Sequence, residues 1–234
     1  MKPDVRVLVI IPAYNEEGSI GDVIRNIRAV SANIDVVVIN DGSKDLTVEV
    51  AQAAGATVVD LPFNLGIGGA MQTGYLYAYQ NDYDIAIQTD ADGQHDPSYI
   101  PNLIRPIVDG EVNFVVGSRY VEKTTYRSSA MRRVGMIFFA NLIRLVTKRR
   151  VTDPTSGFRA ADRNIIRMFA DYYPVDYPEV EVLVHIARNG YSFKEISVEM
   201  SARQAGRSSI TPLKSIYYMV KVGLAVMISA TRPR

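Results

Sequence analysis

The feature that most constrains the fold is an alternation, along the first half of the chain, of short β-branched runs with longer segments of helical periodicity. Parallel strands need a crossover connection, and strands buried on both faces have continuous apolar sequences. The alternation therefore predicts an α/β fold, with a mostly parallel central sheet and helices on both faces. The predicted strands cover residues 5–11, 35–39, 57–61, 84–89 and 112–117, and the predicted helices cover residues 17–31, 45–54, 69–79 and 98–108.

The pattern changes after residue 118. No internal repeat or low-complexity linker interrupts the chain. We therefore predict one domain over residues 1–208, followed by a C-terminal amphipathic helix over residues 209–234. The elements expected in this half are a helix at 128–147, an irregular polar segment at 152–157, helices near 162–171 and 177–189, a strand at 192–200 and a last helix at 209–229.

The chain has 234 residues and no cysteine. The missing thiols exclude disulfides, thiolate metal sites and cysteine nucleophiles, and they make a reducing compartment the natural expectation. The first apolar run is too short for a signal peptide. No stretch reaches the roughly 18 apolar residues that a membrane-spanning helix needs, so we expect neither export nor a membrane span.

The net charge of +1 conceals an asymmetry along the chain. Residues 1–118 hold 6 Lys and Arg against 16 Asp and Glu, residues 119–167 hold 12 against 3, and residues 201–234 hold 6 against none. Such a division suits a nucleic-acid surface, an anionic membrane, or an anionic substrate beside a cation-binding cluster. We expect no nucleic acid, because the aromatic residues are not interleaved with the basic ones as a stacking platform requires.

An acidic motif follows the fourth predicted strand. Asp90 and Asp92 close this strand, and Gln94 comes just behind them. Oxygen ligands at this density suit Mg²⁺ or Mn²⁺. An isolated pair of this kind is more often a solvated acidic turn or a helix cap, so the motif is interpreted together with its neighbours. In open parallel sheets, ligands bind at the carboxyl ends of the strands, where this motif lies.

Taken together, five motifs in order resemble those of the family 2 glycosyltransferases, and most of all the polyprenyl-phosphate sugar transferase branch that includes dolichyl-phosphate mannose synthases. The resemblance covers nearly the whole chain. It implies a GT-A fold, a nucleotide-sugar donor, a divalent cation and an inverting transfer. The motifs are Pro12-Ala13-Tyr14-Asn15-Glu16-Glu17, Asn40-Asp41-Gly42-Ser43, Thr89-Asp90-Ala91-Asp92-Gly93-Gln94-His95, Gly117-Ser118-Arg119-Tyr120 and Asp153-Pro154-Thr155-Ser156-Gly157-Phe158-Arg159.

The resemblance also implies site residues at the positions that match. Asp90, Asp92 and Gln94 would hold the cation, Mg²⁺ or Mn²⁺, and Asp41 would read the base. Asn40 stands where the family often carries an aspartate. The expected nucleotide-binding residues, as a set, are Pro12, Ala13, Tyr14, Glu16, Asp41, Gly69, Asp90 and Ala91.

Arginines are the expected partners of the phosphate groups. A phosphate monoester acceptor is already ionised near neutral pH, so the enzyme needs cations that bring two anions together more than it needs a strong base. The planar guanidinium binds phosphate through two hydrogen bonds and stays charged. Asp153 is either a base, for a hydroxyl acceptor, or a residue that orients the arginines, and we favour orientation. The expected catalytic residues are Asp153, Arg119, Arg133, Arg159 and Arg203; for any single arginine the alternative is a solvated surface residue.

Several other residues each have two interpretations. His95 approaches the cation or the acceptor, or it hydrogen-bonds the backbone of its own loop. Glu179 and Glu181, at the start of a predicted helix, more often favour the helix dipole than perform chemistry. The glycine-rich residues 66–69 resemble a turn beneath the donor site, or they allow close packing of a helix start.

Two apolar segments with basic flanks point to a membrane surface. Residues 134–146 are almost wholly apolar and are followed by Lys148-Arg149-Arg150. The last predicted helix combines apolar residues with Lys214 and Lys221, and Arg232 and Arg234 follow it. Such helices lie in the headgroup region of an anionic leaflet. The alternative is burial against the core or in an oligomer. We also expect docking on a small membrane protein or homo-oligomerisation through the last helix.

The leading functional hypothesis is therefore a peripheral enzyme at the cytoplasmic face of the cell membrane. It transfers a sugar, glucose or N-acetylglucosamine, from a UDP-sugar to a polyprenyl phosphate such as undecaprenyl phosphate, for cell-envelope glycan synthesis. One alternative is a soluble family 2 transferase acting on a sugar or a small phosphorylated acceptor. The other, from a different class, is a non-catalytic subunit that binds a nucleotide sugar.

Overall fold

The computed structural model describes residues 5–122, 130–175, 178–201, 221, 223 and 224. These residues form seven strands and seven α-helices, with a short 3-10 helix before the fourth helix. The strands are β1 Val7–Ala13, β2 Ile34–Asn40, β3 Thr57–Asp60, β4 Ile85–Gln88, β5 Phe114–Ser118, β6 Arg159–Asp162 and β7 Phe193–Ser197. The helices are α1 Ile20–Val30, α2 Thr47–Ala53, α3 Gly66–Gln80, α4 Ile100–Val108, α5 Ala130–Thr147, α6 Arg163–Asp171 and α7 Pro178–Arg188.

All seven strands belong to one sheet, in the order β3-β2-β1-β4-β6-β5-β7. The pairs β1–β2, β1–β4, β2–β3 and β5–β7 are parallel. Strand β6 runs antiparallel to both of its neighbours, β4 and β5. The predicted α/β fold with a mostly parallel sheet is confirmed. Strand β6 is not predicted by the sequence pattern, because its residues, Arg-Ala-Ala-Asp, include none of the β-branched or aromatic types that strands favour.

Alternate residues of each strand enter apolar clusters on opposite faces of the sheet. Leu8 and Ile10 of β1 belong to the cluster that includes residues of α3, α5, α6 and α7. Val9 and Ile11 belong to the cluster that includes residues of α1, α2 and α4. This division follows from the two-residue period of a strand. Because helices cover both faces, as predicted, the strand ends are where polar side chains can gather.

Most of the predicted C-terminal helix lies outside the described residues. Of residues 209–229, the structure describes Lys221, Gly223 and Leu224, and the predicted boundary at residue 208 also falls in an undescribed part. Gly223 lies against Phe138 of α5, since a Cβ at this glycine would be 3.6 Å from the Phe138 ring. The helices that can be followed in the described ranges are all too short or too polar to cross a bilayer.

Candidate active site

The loops after β1 and β2 are joined by hydrogen bonds between side chains and backbone amides. The amide of Asn15 donates to Ser43 Oγ at 2.9 Å, and the amide of Glu16 donates to Thr47 Oγ1 at 2.9 Å. These two loops, the turn before α3 and the loop after β4 form what we call the first wall, residues 12–17, 40–47, 64–66 and 90–96. Its loops meet because β1, β2 and β4 are parallel neighbours whose carboxyl ends share one edge of the sheet.

Asp41 fixes the start of α3. Its Oδ1 accepts the Leu65 amide at 2.7 Å and its Oδ2 accepts the Gly66 amide at 2.9 Å. Asp41 is only 4% exposed. Gly66 has a φ of +79°, a conformation that favours glycine at this turn. The described bonds therefore give Asp41 a structural role in the first wall, whereas its reading of the base stays a prediction.

The other predicted nucleotide-binding residues of the first motif lie around this wall. Tyr14 is 46% exposed, Ala13 is buried and Pro12 is partly buried. The carbonyl of Ala13 accepts the Asp41 amide at 2.8 Å, which ties the first motif to the second. Ser19 donates to the Glu16 carboxylate at 3.0 Å, so this side chain is held at the start of α1. The structure thus brings the motif residues to one edge of the sheet.

The glycine-rich residues pack a helix start rather than a free loop. Gly69, the predicted donor-site glycine, lies in the first turn of α3, where a Cβ would meet the side chain of Leu65. The closest approach is at Gly68, where a Cβ would overlap the backbone carbonyl oxygens of Pro174 and Val175. Gly68 is not among the predicted site residues. Its signal in the sequence is its place within residues 66–69, but nothing there distinguishes it from Gly69.

The acidic motif lies directly after β4. The Asp90 side chain is 41% exposed, whereas Asp92 is 4% exposed and its Oδ1 accepts the Gln94 amide at 3.0 Å. Ala91, between them, is buried. Gly157 approaches Asp90 so closely that a Cβ there would be 3.1 Å from Asp90 Oδ1. A glycine at this position therefore leaves room for the Asp90 carboxylate.

These residues fit a divalent cation that is shared with a phosphorylated substrate. Mg²⁺ commonly keeps several waters and is held by one or two carboxylates together with substrate phosphates. Two carboxylates and the Gln94 amide on one loop match such a donor set. Across the described ranges, no group of three or more His, Asp or Glu side chains forms a closed protein cage for a metal. An open site of this type is consistent with that finding.

His95 is buried beneath the acidic motif. Its Nδ1 accepts the Asp90 amide at 3.1 Å, so the ring carries its proton on Nε2, which lies 3.7 Å from Asp90 Oδ2. Burial lowers the pKa of His95, against the opposing effect of Asp90 and Asp92, and the ring stacks on Phe158 with centroids 4.9 Å apart. Of its two interpretations, the hydrogen bond to the backbone of its own loop is the one that the structure contains.

Arg119 and Asp153 form a buried ion pair across from the first wall. Arg119 Nε donates to Asp153 Oδ2 at 2.6 Å, and Arg119 Nη2 donates to Asp153 Oδ1 at 2.7 Å. The Arg119 amide also donates to Asp153 Oδ2, at 3.1 Å. The Asp153 side chain is 0% exposed and that of Arg119 is 15% exposed. This bidentate geometry holds the guanidinium plane in one orientation.

Asp153 lies in the predicted irregular segment, residues 152–157, which we call the bridging loop. At one end of this loop Asp153 contacts Arg119, and at the other end Gly157 contacts Asp90. The bridging loop and Arg119 together form what we call the second wall. The loop therefore joins the predicted cation site to the predicted phosphate site.

Arg159 supports the bridging loop from below. Its guanidinium is buried and donates to the carbonyl oxygens of Ser156 at 2.6 Å, Pro154 at 3.1 Å and Glu179 at 2.8 Å. Its Nη1 has no hydrogen-bond partner among the residues that the structure describes. These bonds make Arg159 a positioning residue for the loop. Its predicted contact with phosphate stays a prediction.

The remaining predicted residues are placed less fully. Arg133 is exposed on α5, and Arg203 lies outside the described residues. Glu179 and Glu181 lie in the first turn of α7, the predicted helix start, and their favourable contact with the helix dipole stays a prediction. Burial raises the pKa of Glu179, and the charge of Arg159 opposes this rise.

Two residues of the site are missed by sequence reasoning. Phe158 stacks on the His95 ring. The only sequence signal for Phe158 is its position inside the fifth motif. Glu195 of β7 accepts hydrogen bonds from Thr152 and Asp153 of the bridging loop. An acidic residue in an alternating strand looks like part of a solvated face, so no sequence signal marks Glu195.

Comparison with known proteins agrees with this geometry. The family described as Glycosyl transferase family 2 matches residues 8–171. The chain is 29% identical over 248 residues to the UDP-N-acetylglucosamine–dolichyl-phosphate N-acetylglucosaminyltransferase of Methanococcus voltae, covering 96% of this chain and 92% of that one. It is 30% identical over 209 residues to the dolichyl-phosphate hexose transferase of Haloferax volcanii, covering 87% and 86%.

A solved structure shares the fold. Glucosyl-3-phosphoglycerate synthase from Mycobacterium tuberculosis, in complex with Mn²⁺, UDP-glucose and glycerol 3-phosphate, matches with a TM-score of 0.70 and 26% identity, over 97% of this chain and 80% of that one. The sheet, the motif loops at its edge and these matches lead to one assignment. The chain is a glycosyltransferase with the GT-A fold, and it belongs to glycosyl transferase family 2.

Proposed function

We propose that this glycosyltransferase moves a sugar from a UDP-sugar to a polyprenyl phosphate, with Mg²⁺ or Mn²⁺ and with inversion at the sugar carbon. The observation that carries the proposal is the pair of contacts made by the bridging loop. Gly157 of the loop lies against the half-exposed Asp90 carboxylate, and Asp153 of the same loop orients Arg119. A cation site and an arginine that both contact this loop suit a reaction between two phosphate-bearing substrates. The names of both curated relatives contain a dolichyl phosphate acceptor, which supports this class of acceptor.

The donor binds along the first wall in this proposal. The exposed Tyr14 ring, with Pro12, Ala13 and Glu16, lines the base and ribose pocket, and Asp41 lies at its floor. Uridine is the proposed base, because the Methanococcus voltae relative is named for a UDP-sugar and the Mycobacterium tuberculosis structure holds UDP-glucose. Glucose and N-acetylglucosamine are accordingly the proposed sugars.

Asp90, Asp92 and Gln94 would hold the divalent cation in this mechanism. When bound, the cation offsets the negative charge that develops on the departing nucleoside diphosphate. His95 keeps the loop in place by accepting the Asp90 amide. Because burial lowers the pKa of His95, the ring stays neutral and adds no positive charge beside the cation.

Arg119 is the proposed contact for phosphate on the second wall, together with Arg133 and Arg203. A phosphate acceptor arrives ionised, so its oxygen attacks the sugar carbon without a strong base. Asp153 then acts by orienting Arg119, which agrees with its bidentate pairing and its complete burial. Since the carboxylate is fully engaged with Arg119, it is poorly placed to accept a proton from an acceptor hydroxyl.

A membrane surface is the proposed location, at the cytoplasmic face. Ile137 and Leu145 of α5 are 56% and 79% exposed, and the helix is followed by three basic residues, Lys148-Arg149-Arg150. An apolar helix surface with basic residues suits the headgroup region of an anionic leaflet, where a polyprenyl phosphate presents its charge. A small membrane-protein partner or a homo-oligomer formed through the last helix is a further part of the proposal.

The test is an assay of the purified chain with Mg²⁺ or Mn²⁺, undecaprenyl or dolichyl phosphate, and a panel of UDP- and GDP-sugars. Mass spectrometry of the organic extract should detect a cation-dependent sugar-phosphoryl lipid formed from a UDP-sugar. Nucleotide release with a water-soluble phosphorylated acceptor, and no lipid product, would contradict the proposed acceptor. Formation of the lipid only from GDP-sugars would contradict the proposed base.

A further inference from the structure

Glu195 holds the entrance of the bridging loop through both oxygens of its carboxylate. Oε1 accepts the Asp153 amide at 2.7 Å, and Oε2 accepts the Thr152 amide at 2.7 Å and the Thr152 hydroxyl at 3.0 Å. Three donors on one carboxylate fix two consecutive peptide groups. The segment that they fix begins immediately before Pro154.

The sheet determines where this carboxylate lies. Glu195 is in β7, whose register with β5 pairs it with Val116, two residues before Ser118. Ser118 Oγ is 2.8 Å from Thr152 Oγ1, so the end of β5 and the bridging loop are linked beside Glu195. Arg119 follows directly on β5. The paired strands β5 and β7 therefore position both Arg119 and Glu195, which holds the bridging loop.

We propose that Glu195 is a positioning residue for sugar transfer: it sets the orientation of the Arg119 guanidinium by fixing the peptide groups that present Asp153. The proposal rests on the proposed function, in which Arg119 contacts phosphate. Glu195 itself touches neither substrate. Its influence passes through two hydrogen bonds to the Asp153 segment and then through the bidentate pair to Arg119.

A carboxylate is needed because all three partners are donors. Glutamine has the same shape, but it offers one acceptor oxygen and one NH₂ group, which would face an amide donor. One of the two peptide groups would therefore lose its bond. Glu195 is partly buried, and burial raises its pKa against the opposing effect of its hydrogen bonds from Asp153 and Thr152. A peptide group that loses its bond to the carboxylate leaves the loop less firmly fixed.

A double-mutant cycle separates positioning from general stabilisation. We expect Glu195→Gln to lower kcat/KM for transfer about tenfold, because small misplacements of a binding group are costly. Lys in place of Arg119 keeps the charge and loses the bidentate geometry. In the Arg119→Lys background, Glu195→Gln should therefore cause less than about a twofold further loss. An equal loss in both backgrounds would overturn the proposal.

The chain offers a matched control in an ion pair with the same strand. Glu111 pairs with Lys194, the neighbour of Glu195, at 2.7 Å, and both side chains are largely exposed. Glu111→Gln should leave kcat/KM within about twofold of the wild type, because exposed pairs contribute little. Thr152→Val removes one hydroxyl and keeps the hydrogen bonds from both backbone amides to Glu195. Its loss of kcat/KM should lie between that of the control and that of Glu195→Gln. A Thr152→Val effect equal to that of Glu195→Gln would contradict the role assigned to the peptide groups.

A second readout does not depend on the proposed function. The Arg119 Nε–H group, bonded to a buried carboxylate, should give a slowly exchanging signal in nitrogen–proton correlation spectra, identified by its loss in Arg119→Lys. Glu195→Gln should shift this signal or speed its exchange with water, and Glu111→Gln should not. An unchanged signal would overturn the proposal about Glu195 even in a fully folded variant. Absence of lipid product in the wild type, with a shifted Arg119 signal, would contradict only the proposed function.

Discussion

The two walls of the candidate site are held in part by different kinds of interaction. In the first wall, side-chain oxygens accept hydrogen bonds from backbone amides of neighbouring loops, as Asp41 does for Leu65 and Gly66. In the second wall, Glu195 also accepts backbone amides, but there opposite charges are buried together as well, as in the pair of Asp153 and Arg119. Amide donors satisfy a carboxylate without a second charge, whereas a buried pair depends on both members.

The pKa values of the carboxyl groups also differ between the two walls. Burial raises the pKa of Asp45 in the first wall, but hydrogen bonds from Thr47 and Glu17 outweigh it, and the pKa lies below its ordinary value. Glu179 and Glu195 support the second wall. Burial raises the pKa of each of them, and this effect is larger than the opposing charges and hydrogen bonds. We infer that changes at the buried pair of the second wall affect folding and transfer together, whereas changes at the cation site of the first wall affect transfer alone.

The largest expected effect is that of Asp153→Asn. Removing one member of a buried pair leaves Arg119 as an uncompensated charge and should lower the free energy of unfolding by about 3–5 kcal/mol. Transfer should be lost in the same variant. Chemical denaturation and the lipid product assay measure the two effects. The exposed pair of Asp82 and Arg163 is the control, since Asp82→Asn should cost about 1 kcal/mol or less; an equally small cost for Asp153→Asn would remove the distinction between the walls.

Asp90→Asn should separate the two effects. The side chain is 41% exposed, so we expect an unchanged melting temperature. Transfer should fall by about 10²–10³-fold, the range seen when one group that stabilises a transition state is removed. Calorimetric titration with Mn²⁺ should show weaker binding. Asp96→Asn is the control, because its side-chain oxygen can still accept the Ser98 amide; a comparable loss of transfer there would argue against the cation site.

Gly157→Ala tests the contact between the walls. Its Cβ would be 3.1 Å from Asp90 Oδ1, so the carboxylate must move by a few tenths of an ångström. We expect an about tenfold loss of transfer, with a stability change within about 1 kcal/mol. Gly18→Ala is the control, because a Cβ at Gly18 would meet nothing within 4 Å. If Gly157→Ala retains full activity, the two walls do not communicate through this contact.

The smallest expected effect is the pH dependence of stability. A carboxyl group whose pKa is raised on folding, such as Glu179, binds more protons in the folded state between its ordinary and raised pKa. The free energy of unfolding therefore falls as pH rises through this window, and Glu179→Gln should remove that part of the fall. Asp45 has a lowered pKa, so its contribution has the opposite sign: it is present above its ordinary pKa and is lost as pH falls through the folded value. Urea titrations of Glu179→Gln and Asp45→Asn across acidic pH measure both slopes, and slopes of the same sign would contradict the division.

The first wall is also the part of the site that the sequence predicts well. Its motifs follow runs of apolar residues, so their place at the carboxyl ends of β1, β2 and β4 follows from the alternation alone. The exact role of Asp41 does not follow, because its partners, Leu65 and Gly66, are 24 and 25 residues away in the chain. A motif predicts the position of a side chain in the fold, but the hydrogen bonds of that side chain depend on backbone that is distant in the sequence.

The second wall depends on contacts that no local pattern encodes. Arg159 matches a motif arginine, yet its bonds go to backbone carbonyls beneath the loop. Glu195 is 42 residues from Asp153, and its strand reads as an ordinary alternating one. Buried charges of this kind are paired across the fold, so their partners can be assigned only when the strand order is known.

Strand β6 sets the order in which the molecule can be completed during synthesis. Strands β1 to β4 find all their parallel partners among themselves, but β5 is bonded in the sheet only to β6 and β7. A growing chain that has passed β5 therefore holds this strand without a neighbour until residues 159–162 emerge. The strands that carry the first wall can pair before Arg119 and the bridging loop come together, and these follow some 40 residues later, at roughly 5–20 residues per second. For several seconds the nascent enzyme thus has the strands of the first wall without the second wall.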